Sequence, residues 1–369
     1  MTLAKFFGVA ATLLLAAAVE ARAGYSIISL GTLGGTSSYG AGINASGQVV
    51  GVSRVAGSVV DRAFLYSNGA MIDLGTLGGT YSTAGAINAS GQIVGMSYLV
   101  GDAVQHPFLY SNGMMTDLGI IGAMDFGGAN GINTAGDVTG QFYLPGNRVY
   151  HAFLSANGTM TDLGTLGGSW SAGYAINDSA HVTGYSHVTG DAGFHAFLYA
   201  NGVMTDLGTL GGASSFGVGI NSSSHVVGYS AIAGNTTHHA FLHANGTMTD
   251  LGTLGGTVSS AGGINASGHV VGYSTLTGDT AGRAFLYANG TMTNLNDLLP
   301  ANSGWVLTSA AAINDTGQIT GTGLFNGQYL AYLMTPDAPA PVPEPSTLVL
   351  AVLAGASVFS RRVCRGRRR

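Results

Sequence analysis

The chain has 369 residues, of which 46% are hydrophobic, 8% are charged and 61 are glycine. Low charge with high hydrophobicity excludes a disordered chain, and the lack of a strict three-residue glycine period excludes collagen. Residues 24–341 keep only Arg54, Arg62, Arg148 and Arg283 against 15 Asp, with no Lys and no Glu. Without a basic patch for a phosphate backbone, a nucleic-acid partner is not expected. The single cysteine, Cys364, lies in the basic tail, so disulfides, a thiolate metal site and a thiol nucleophile are not expected in the body.

Residues 1–23 read as a secretory signal peptide. Lys5 supplies the positive start, Phe6 to Val19 is an apolar run, and Ala21-Arg22-Ala23 is a small-x-small cleavage site that predicts a mature start at Gly24.

Residues 24–336 are one unit repeated. Asp-Leu-Gly-Thr-Leu-Gly-Gly begins at Asp73, Asp162, Asp206 and Asp250, with degenerate copies at Ser29, Asp117 and Asn294. An Ile-Asn pair recurs at Asn44, Asn88, Asn133, Asn177, Asn221, Asn265 and Asn314. The Phe of Ala-Phe-Leu recurs at Phe64, Phe108, Phe153, Phe197, Phe241 and Phe285, with Tyr332 as a degenerate seventh. The shared period is about 44 residues, the length of a propeller blade.

Each unit predicts four short strands. The first ends at Ile-Asn and enters an Asn-x-x-Gly turn, in which Asn closes an Asx-turn and Gly takes the fourth place; Ala180 and Ser224 replace that Gly in two copies. The second strand is of the type His269-Val270-Val271-Gly272-Tyr273-Ser274, and the third of the type His195-Ala196-Phe197-Leu198-Tyr199. An Asn-Gly pair follows in six copies, from Asn68-Gly69 to Asn289-Gly290, and marks a type I′ hairpin into the fourth strand. The repeat region opens on a fourth strand without its three predecessors and stops after a third strand. Those leftovers complete one blade if the ends meet. The expectation is therefore an all-β, seven-bladed β-propeller of four-stranded blades, closed by its N-terminal strand; the alternative is an open β-solenoid.

The unit resembles the bacterial extracellular HAF-repeat family. The His-Ala-Phe triplet is literal at His151, His195 and His239, departs to Arg-Ala-Phe at Arg62 and Arg283, and to His-Pro-Phe at His106. The resemblance implies an exported repeat protein and no assigned reaction.

Catalytic and metal residues are not expected. His106, His151, His195 and His239 open third strands, and His181, His225 and His269 open second strands; Arg or Gln stands in these places elsewhere, which suits a polar rim better than a metal set. The repeated Asp alternates with Ser29 and Asn294, so a local hydrogen-bond acceptor is expected, with Ca²⁺ as the functional alternative. Asp102, Asp191 and Asp279 read as turn residues. There is no G-x-S-x-G elbow and no H-E-x-x-H, and a cofactor is not implied. The loop expected after each Leu-Gly-Gly carries the aromatics Tyr39, Tyr81, Phe126, Trp170, Tyr174 and Phe216, which form the candidate ligand-binding set together with Trp305. Gathered on one face, such rings suit sugar stacking; the competing reading is packing between blades. Trp170 and Trp305 are the ones expected to be exposed. Symmetry breaks at Met124-Asp125-Phe126 and at the insertion from Leu298 to Trp305, the latter being the place expected to hold a special site.

After a linker at 337–341, residues 342–369 carry the box Pro343-Glu344-Pro345, an apolar run from Leu348 to Phe359 and an Arg cluster that begins at Arg361 and Arg362. Twelve apolar or small residues span about 18 Å as a helix, short of a bilayer core. Box, run and cluster in this order resemble the PEP-CTERM sorting signal. That resemblance implies an exosortase-type processing protease as partner, transient membrane association through the tail, and a cell-surface or extracellular destination. The expected function is an exported, non-enzymatic structural or recognition protein with an extracellular polysaccharide as partner; the alternative is a glycan hydrolase or lyase with an Asp/His site near the axis.

Overall fold

The computed structural model describes residues 24–119, 126–144 and 149–337. The signal-peptide and sorting-signal segments, including Pro343, Glu344, Pro345, Arg361 and Arg362, lie outside the described residues.

Alternating apolar and small residues between turn signals fold into seven four-stranded antiparallel sheets. A lone strand β1 (Tyr25–Ser29) comes first. Blade 1 is β2 (Gly34–Ile43), β3 (Val49–Val55), β4 (Asp61–Ser67) and β5 (Ala70–Asp73). Blade 2 is β6 (Gly78–Ile87), β7 (Ile93–Leu99), β8 (Gln105–Ser111) and β9 (Met114–Asp117). Blade 3 is β10 (Gly127–Ile132), β11 (Val138–Tyr143), β12 (Tyr150–Ala156) and β13 (Thr159–Asp162). Blade 4 is β14 (Gly167–Ile176), β15 (Val182–Val188), β16 (Phe194–Ala200) and β17 (Val203–Asp206). Blade 5 is β18 (Gly211–Ile220), β19 (Val226–Ile232), β20 (His238–Ala244) and β21 (Thr247–Asp250). Blade 6 is β22 (Gly255–Ile264), β23 (Val270–Leu276), β24 (Gly282–Ala288) and β25 (Thr291–Asn294). Blade 7 is β26 (Trp305–Ile313), β27 (Ile319–Phe325) and β28 (Gln328–Pro336), completed by β1.

The chain is a seven-bladed propeller closed as the leftover strands required. β1 lies antiparallel on β28, with Tyr25 opposite Pro336 and Ser29 opposite Tyr332. The seam between blades 7 and 1 is built like the others, since Leu30, Ala331 and Leu333 pack on Val49 and Phe64. Each core lies between two blades: Ala152 and Leu163 of blade 3 cover Ile176, Val182 and Phe197 of blade 4. The recurring Phe of the third strand is fully buried in all six copies, as is Tyr332.

The turns follow the sequence signals. Asn201 and Gly202 both take positive φ, at 52° and 83°, as a type I′ hairpin requires. The fourth position of Asn-x-x-Gly is left-handed whatever occupies it: φ is 75° at Gly47, 56° at Ala180 and 60° at Ser224.

The seven repeated Asn close a circle near the axis. Each side-chain amide donates to the backbone carbonyl of the Asn in the next blade, from Asn44 to Asn88 at 3.2 Å round to Asn314 on Asn44 at 3.0 Å. All seven Asn are buried. Among the described residues no helix is long and apolar enough to cross a membrane.

Candidate functional site

Because successive strands are antiparallel, the connections between strands two and three and those between blades share one rim of the ring. The Asn-x-x-Gly and Asn-Gly turns share the other. The first rim carries the chemistry.

There the two residue classes read separately in the sequence meet. His106 Nδ1 lies 2.7 Å from Asp117, His151 2.8 Å from Asp162, His195 2.8 Å from Asp206 and His239 2.8 Å from Asp250. The His stands two residues before the buried Phe, and the Asp lies opposite that Phe on the fourth strand, so each pair is a diagonal cross-strand contact. In blade 1 Arg62 takes the same place, 3.7 Å from Asp73. Each Asp also accepts from the backbone N–H two residues on, as Asp162 does from Gly164 at 2.8 Å. Burial pushes Asp162 up, but the hydrogen bonds from His151 and Gly164 outweigh it and hold the carboxyl below its ordinary range. The expected local acceptor role is what these Asp perform; their partnership with His was missed. Its signal was available: every pair is separated by 11 residues. The pairs sit on the outer two strands, far along each sheet from the axis.

The axis itself offers two small cavities. One, of about 200 Å³, is lined by an isoleucine from every blade, from Ile43 round to Ile313. The other, of about 250 Å³ at the Asn rim, includes Asp178 and Asp315 but no histidine. Both carboxylates are occupied, Asp178 by the Thr134 N–H and Asp315 by the Ala266 N–H, at 2.9 and 2.8 Å. Among the described residues, these axial cavities therefore hold no Asp/His pair. Among the described residues no group of three or more His, Cys, Asp or Glu is placed to hold a metal ion.

The aromatic candidates divide. They are not loop residues: Tyr39, Tyr81, Trp170, Tyr174 and Phe216 all belong to innermost strands, and Phe126 adjoins one. Blades 3 to 5 gather theirs into one connected sector. Phe126 meets Tyr143, which meets Tyr150, with ring centroids 6.1 and 5.7 Å apart. Tyr150 packs edge-on against Trp170 at 4.6 Å, and with His187 on it as well Trp170 is half-buried where exposure was expected. Tyr185 is the hub, within 5.6 Å of Tyr174 and 5.1 Å of both Phe194 and Phe216. Phe216 continues the sector by stacking on Tyr229 at 4.8 Å. Tyr81 instead pairs with Tyr98 alone, and Tyr39 stands exposed in blade 1.

Trp305 corrects an expectation. It is only 8% exposed and stacks on Phe325, its register partner on β27, with centroids 4.7 Å apart. The segment that leads into it is packed down: Leu295 is fully buried, the Asn296 side chain bridges the N–H and carbonyl of Leu307 at 2.7 and 3.0 Å, and Leu298 and Leu299 of the insertion pack on the same core. It closes the inner corner of blade 7 and builds no site.

The aromatic sector encloses a cleft of about 290 Å³ between blades 2, 3 and 4. Phe126, Tyr143, Tyr150, Tyr174 and Tyr185 line it with the amides of Gln105 and Gln141, and no charged side chain takes part among the described residues. Phe126 and Tyr174 remain 41% and 38% exposed. Tyr150 and Tyr185 share a hydroxyl hydrogen bond of 2.7 Å. Burial raises the phenols of Tyr150, Tyr174 and Tyr185, so all three stay protonated donors at neutral pH. Rings with neutral hydroxyls and amides suit flat, hydroxyl-rich molecules.

The cleft opens where a seam bond is lost. In blades 1, 3, 4, 5 and 7 the N–H of the third-strand Ala donates to a Ser of the next blade, as Ala196 does to Ser215 at 2.8 Å. Between blades 2 and 3 the donor position is held by Pro107, which has no N–H, and the acceptor position by Gly127. Both partners are missing together, which leaves no unsatisfied group and clears space in front of the rings.

No family model and no curated protein matches the chain. Among solved structures, it is similar to the β-propeller domain of the Trilobed protease from Pyrococcus furiosus, with a TM-score of 0.54 and 9% identity over 83% of this chain and 99% of that one. That domain has an open velcro topology, whereas here β1 closes the ring. TolB from Acinetobacter baumannii follows with a TM-score of 0.45 and 10% identity over 80% of this chain and 65% of that one. A gluconolactonase from Xanthomonas campestris gives 0.41 and 10% over 87% and 93%. The first likeness shows the propeller fold; at these identities none carries a function.

Proposed function

We propose that this chain is an exported, non-enzymatic recognition protein of the cell surface that binds extracellular polysaccharide through the aromatic cleft of blades 3 and 4. The observation that carries this reading is the break in symmetry: a propeller of near-identical blades collects its aromatics in one sector and opens an uncharged, amide-edged cleft there. The signal-peptide reading of residues 1–23 and the PEP-CTERM resemblance of residues 342–369 support export and surface sorting, with an exosortase-type protease as processing partner. The HAF-repeat resemblance supports the same location.

Pull-down of the mature protein on envelope polysaccharide tests the reading. Tyr174→Ala and Phe126→Ala should each weaken binding about tenfold or more, while Tyr81→Ala leaves it unchanged. Retention on no envelope polymer, or equal retention of all variants, overturns it. Mass spectrometry of the exported form tests the address: a start at Gly24 and loss of the Arg-rich tail are expected, and a surviving Arg369 refutes the sorting proposal.

The four His–Asp pairs favour one alternative, a glycan hydrolase or lyase. Their repetition on four blades and the Arg62–Asp73 version speak for a structural role, because one reaction centre does not need four copies. Release of reducing or unsaturated ends from the bound polymer, lost in His151→Ala, would support the alternative.

A further inference from the structure

Four blades fill one recess of the first rim with their own oxygen atom, and blade 1 does not. In blade 2 the Asp102 carboxylate, on the loop between strands two and three, accepts from the Thr80 backbone N–H at 2.7 Å and from the Thr80 hydroxyl at 2.9 Å. Asp191 repeats this on Ser169 at 2.7 and 2.7 Å, and Asp279 on Thr257 at 2.8 and 2.8 Å. In blade 5 the Asn235 side-chain oxygen accepts from the Ala213 N–H at 2.6 Å. In two of these blades the carboxylate is held anionic: hydrogen bonds from Ser169 keep Asp191 below the ordinary carboxylate range, and those from Thr275 and Thr257 do the same for Asp279. All four loop residues take positive φ.

Blade 1 keeps the cradle and lacks the oxygen. Thr36 stands where Thr80 stands, with the same N–H and hydroxyl, and the pairing of β2 on β3 skips from Gly34 to Ser38, so Thr36 lies outside the ladder. The loop has the same length, but Ser58 replaces Asp102, and its hydroxyl turns back to accept from the Val60 N–H at 3.0 Å. An open groove of about 610 Å³ remains, lined by Gly34, Gly35, Thr36, Gly57, Val55 and Val59. That is far more room than one carboxylate fills, so the group can arrive on a ring. The charge around it is also less hostile. Blade 1 holds Arg54 and Arg62 against Asp61 and Asp73, whereas blade 2 holds Asp102 and Asp117 with no cation.

We infer that the blade 1 groove binds the carboxylate of an acidic sugar, a uronate unit, in the place that four sibling blades fill with Asp102, Asp191, Asp279 or Asn235. The carboxylate accepts from the Thr36 N–H and hydroxyl, and the sugar ring rests on the glycine floor between Val55 and Val59. This site is independent of the aromatic cleft and stands or falls without it.

The test is titration of the full mature chain, followed by the amide resonances of Gly35 and Thr36. Glucuronate should shift both saturably with a Kd of about 1–10 mM, the range of a few exposed hydrogen bonds, and glucose should shift neither. Ser58→Asp returns the carboxylate of the sibling blades; it should weaken glucuronate binding at least tenfold and raise Tm by about 1–2 °C. Thr36→Val keeps the N–H and should weaken binding several-fold. The inference is overturned if glucuronate leaves Thr36 unmoved, or if Ser58→Asp responds as the wild type does. A response to N-acetylalanine at tenfold lower concentration overturns the sugar assignment in favour of a peptide C-terminus.

Discussion

Asn314→Asp probes the closure of the ring at its most demanding bond. Asn314 is 7% exposed. Its Nδ2 donates to the Asn44 carbonyl at 3.0 Å and to Gln318 Oε1 at 2.9 Å; its Oδ1 accepts from the Gln318 N–H at 2.9 Å and the Thr316 hydroxyl at 2.8 Å. The substitution keeps the two acceptor bonds and replaces both donors by a carboxylate oxygen facing two oxygens. Two lost bonds cost about 1 kcal/mol each, and the misplaced charge adds about 1 kcal/mol more, so the penalty is about 3 kcal/mol at pH 7. For a domain of this size that lowers Tm by roughly 4–5 °C. The folded state raises the pKa of the new carboxyl above its unfolded value near 4, because only the protonated form can donate to Asn44. A raised folded pKa means that the variant loses stability as pH climbs from about 4 through that folded pKa, and regains it on acidification. Differential scanning calorimetry of both proteins between pH 4 and 8 measures this, with Asn302→Asp on an exposed loop as the charge control. A Tm difference that is small at pH 7, or that stays constant across the range, would refute the claim that the Asn circle holds blades 7 and 1 together.

Three other outcomes follow from particular contacts. Ala180→Gly relieves a left-handed residue and should stabilise the protein by about 0.5–1 kcal/mol in urea titration; Ser224→Gly should gain less, because the Ser224 hydroxyl accepts from Asn177 at 3.1 Å and sits 2.8 Å from His181 Nδ1. Gly184→Ala places a methyl group against the Ala172 carbonyl and the Phe197 ring, so loss of soluble protein on expression is expected, while Gly202→Ala, in an open hairpin, retains the fold. Asp162 should titrate by NMR below an ordinary Asp and return toward it in His151→Ala; since its folded pKa is depressed, the pair supports stability above the unfolded pKa and that support is lost as pH falls through the folded value.

The ring was legible because its markers are local. Asn-Gly hairpins and Ile-Asn turns sit within a few residues of what they determine, and complementary leftover strands at Tyr25 and Gln328 announce closure. The His–Asp pairs were half legible: both residue types stood out, but only cross-strand register joins His151 to Asp162. The aromatic sector was least legible. Tyr150 touches Tyr185, 35 residues away in the next blade, and such neighbours depend on the wedge angle between sheets. Trp305 misled for a similar reason, since its burial is decided by Phe325 across the hairpin, where the other blades place Val55, Leu99, Val188, Ile232 and Leu276 near Gly.

The circle of Asn side chains runs in one rotational sense, each donor pointing to the next unit and none pointing back. A head-to-tail contact of this kind is indifferent to how many copies it joins; the count is decided by the turn from one copy to the next. That turn is set where inner strands come closest, at Gly42 beside Ala86, Gly131 beside Ala175 and Gly263 beside Ala312, where a larger residue would spread the wheel. Small side chains at the hub thus fix the number of spokes, and rims can diversify without disturbing it.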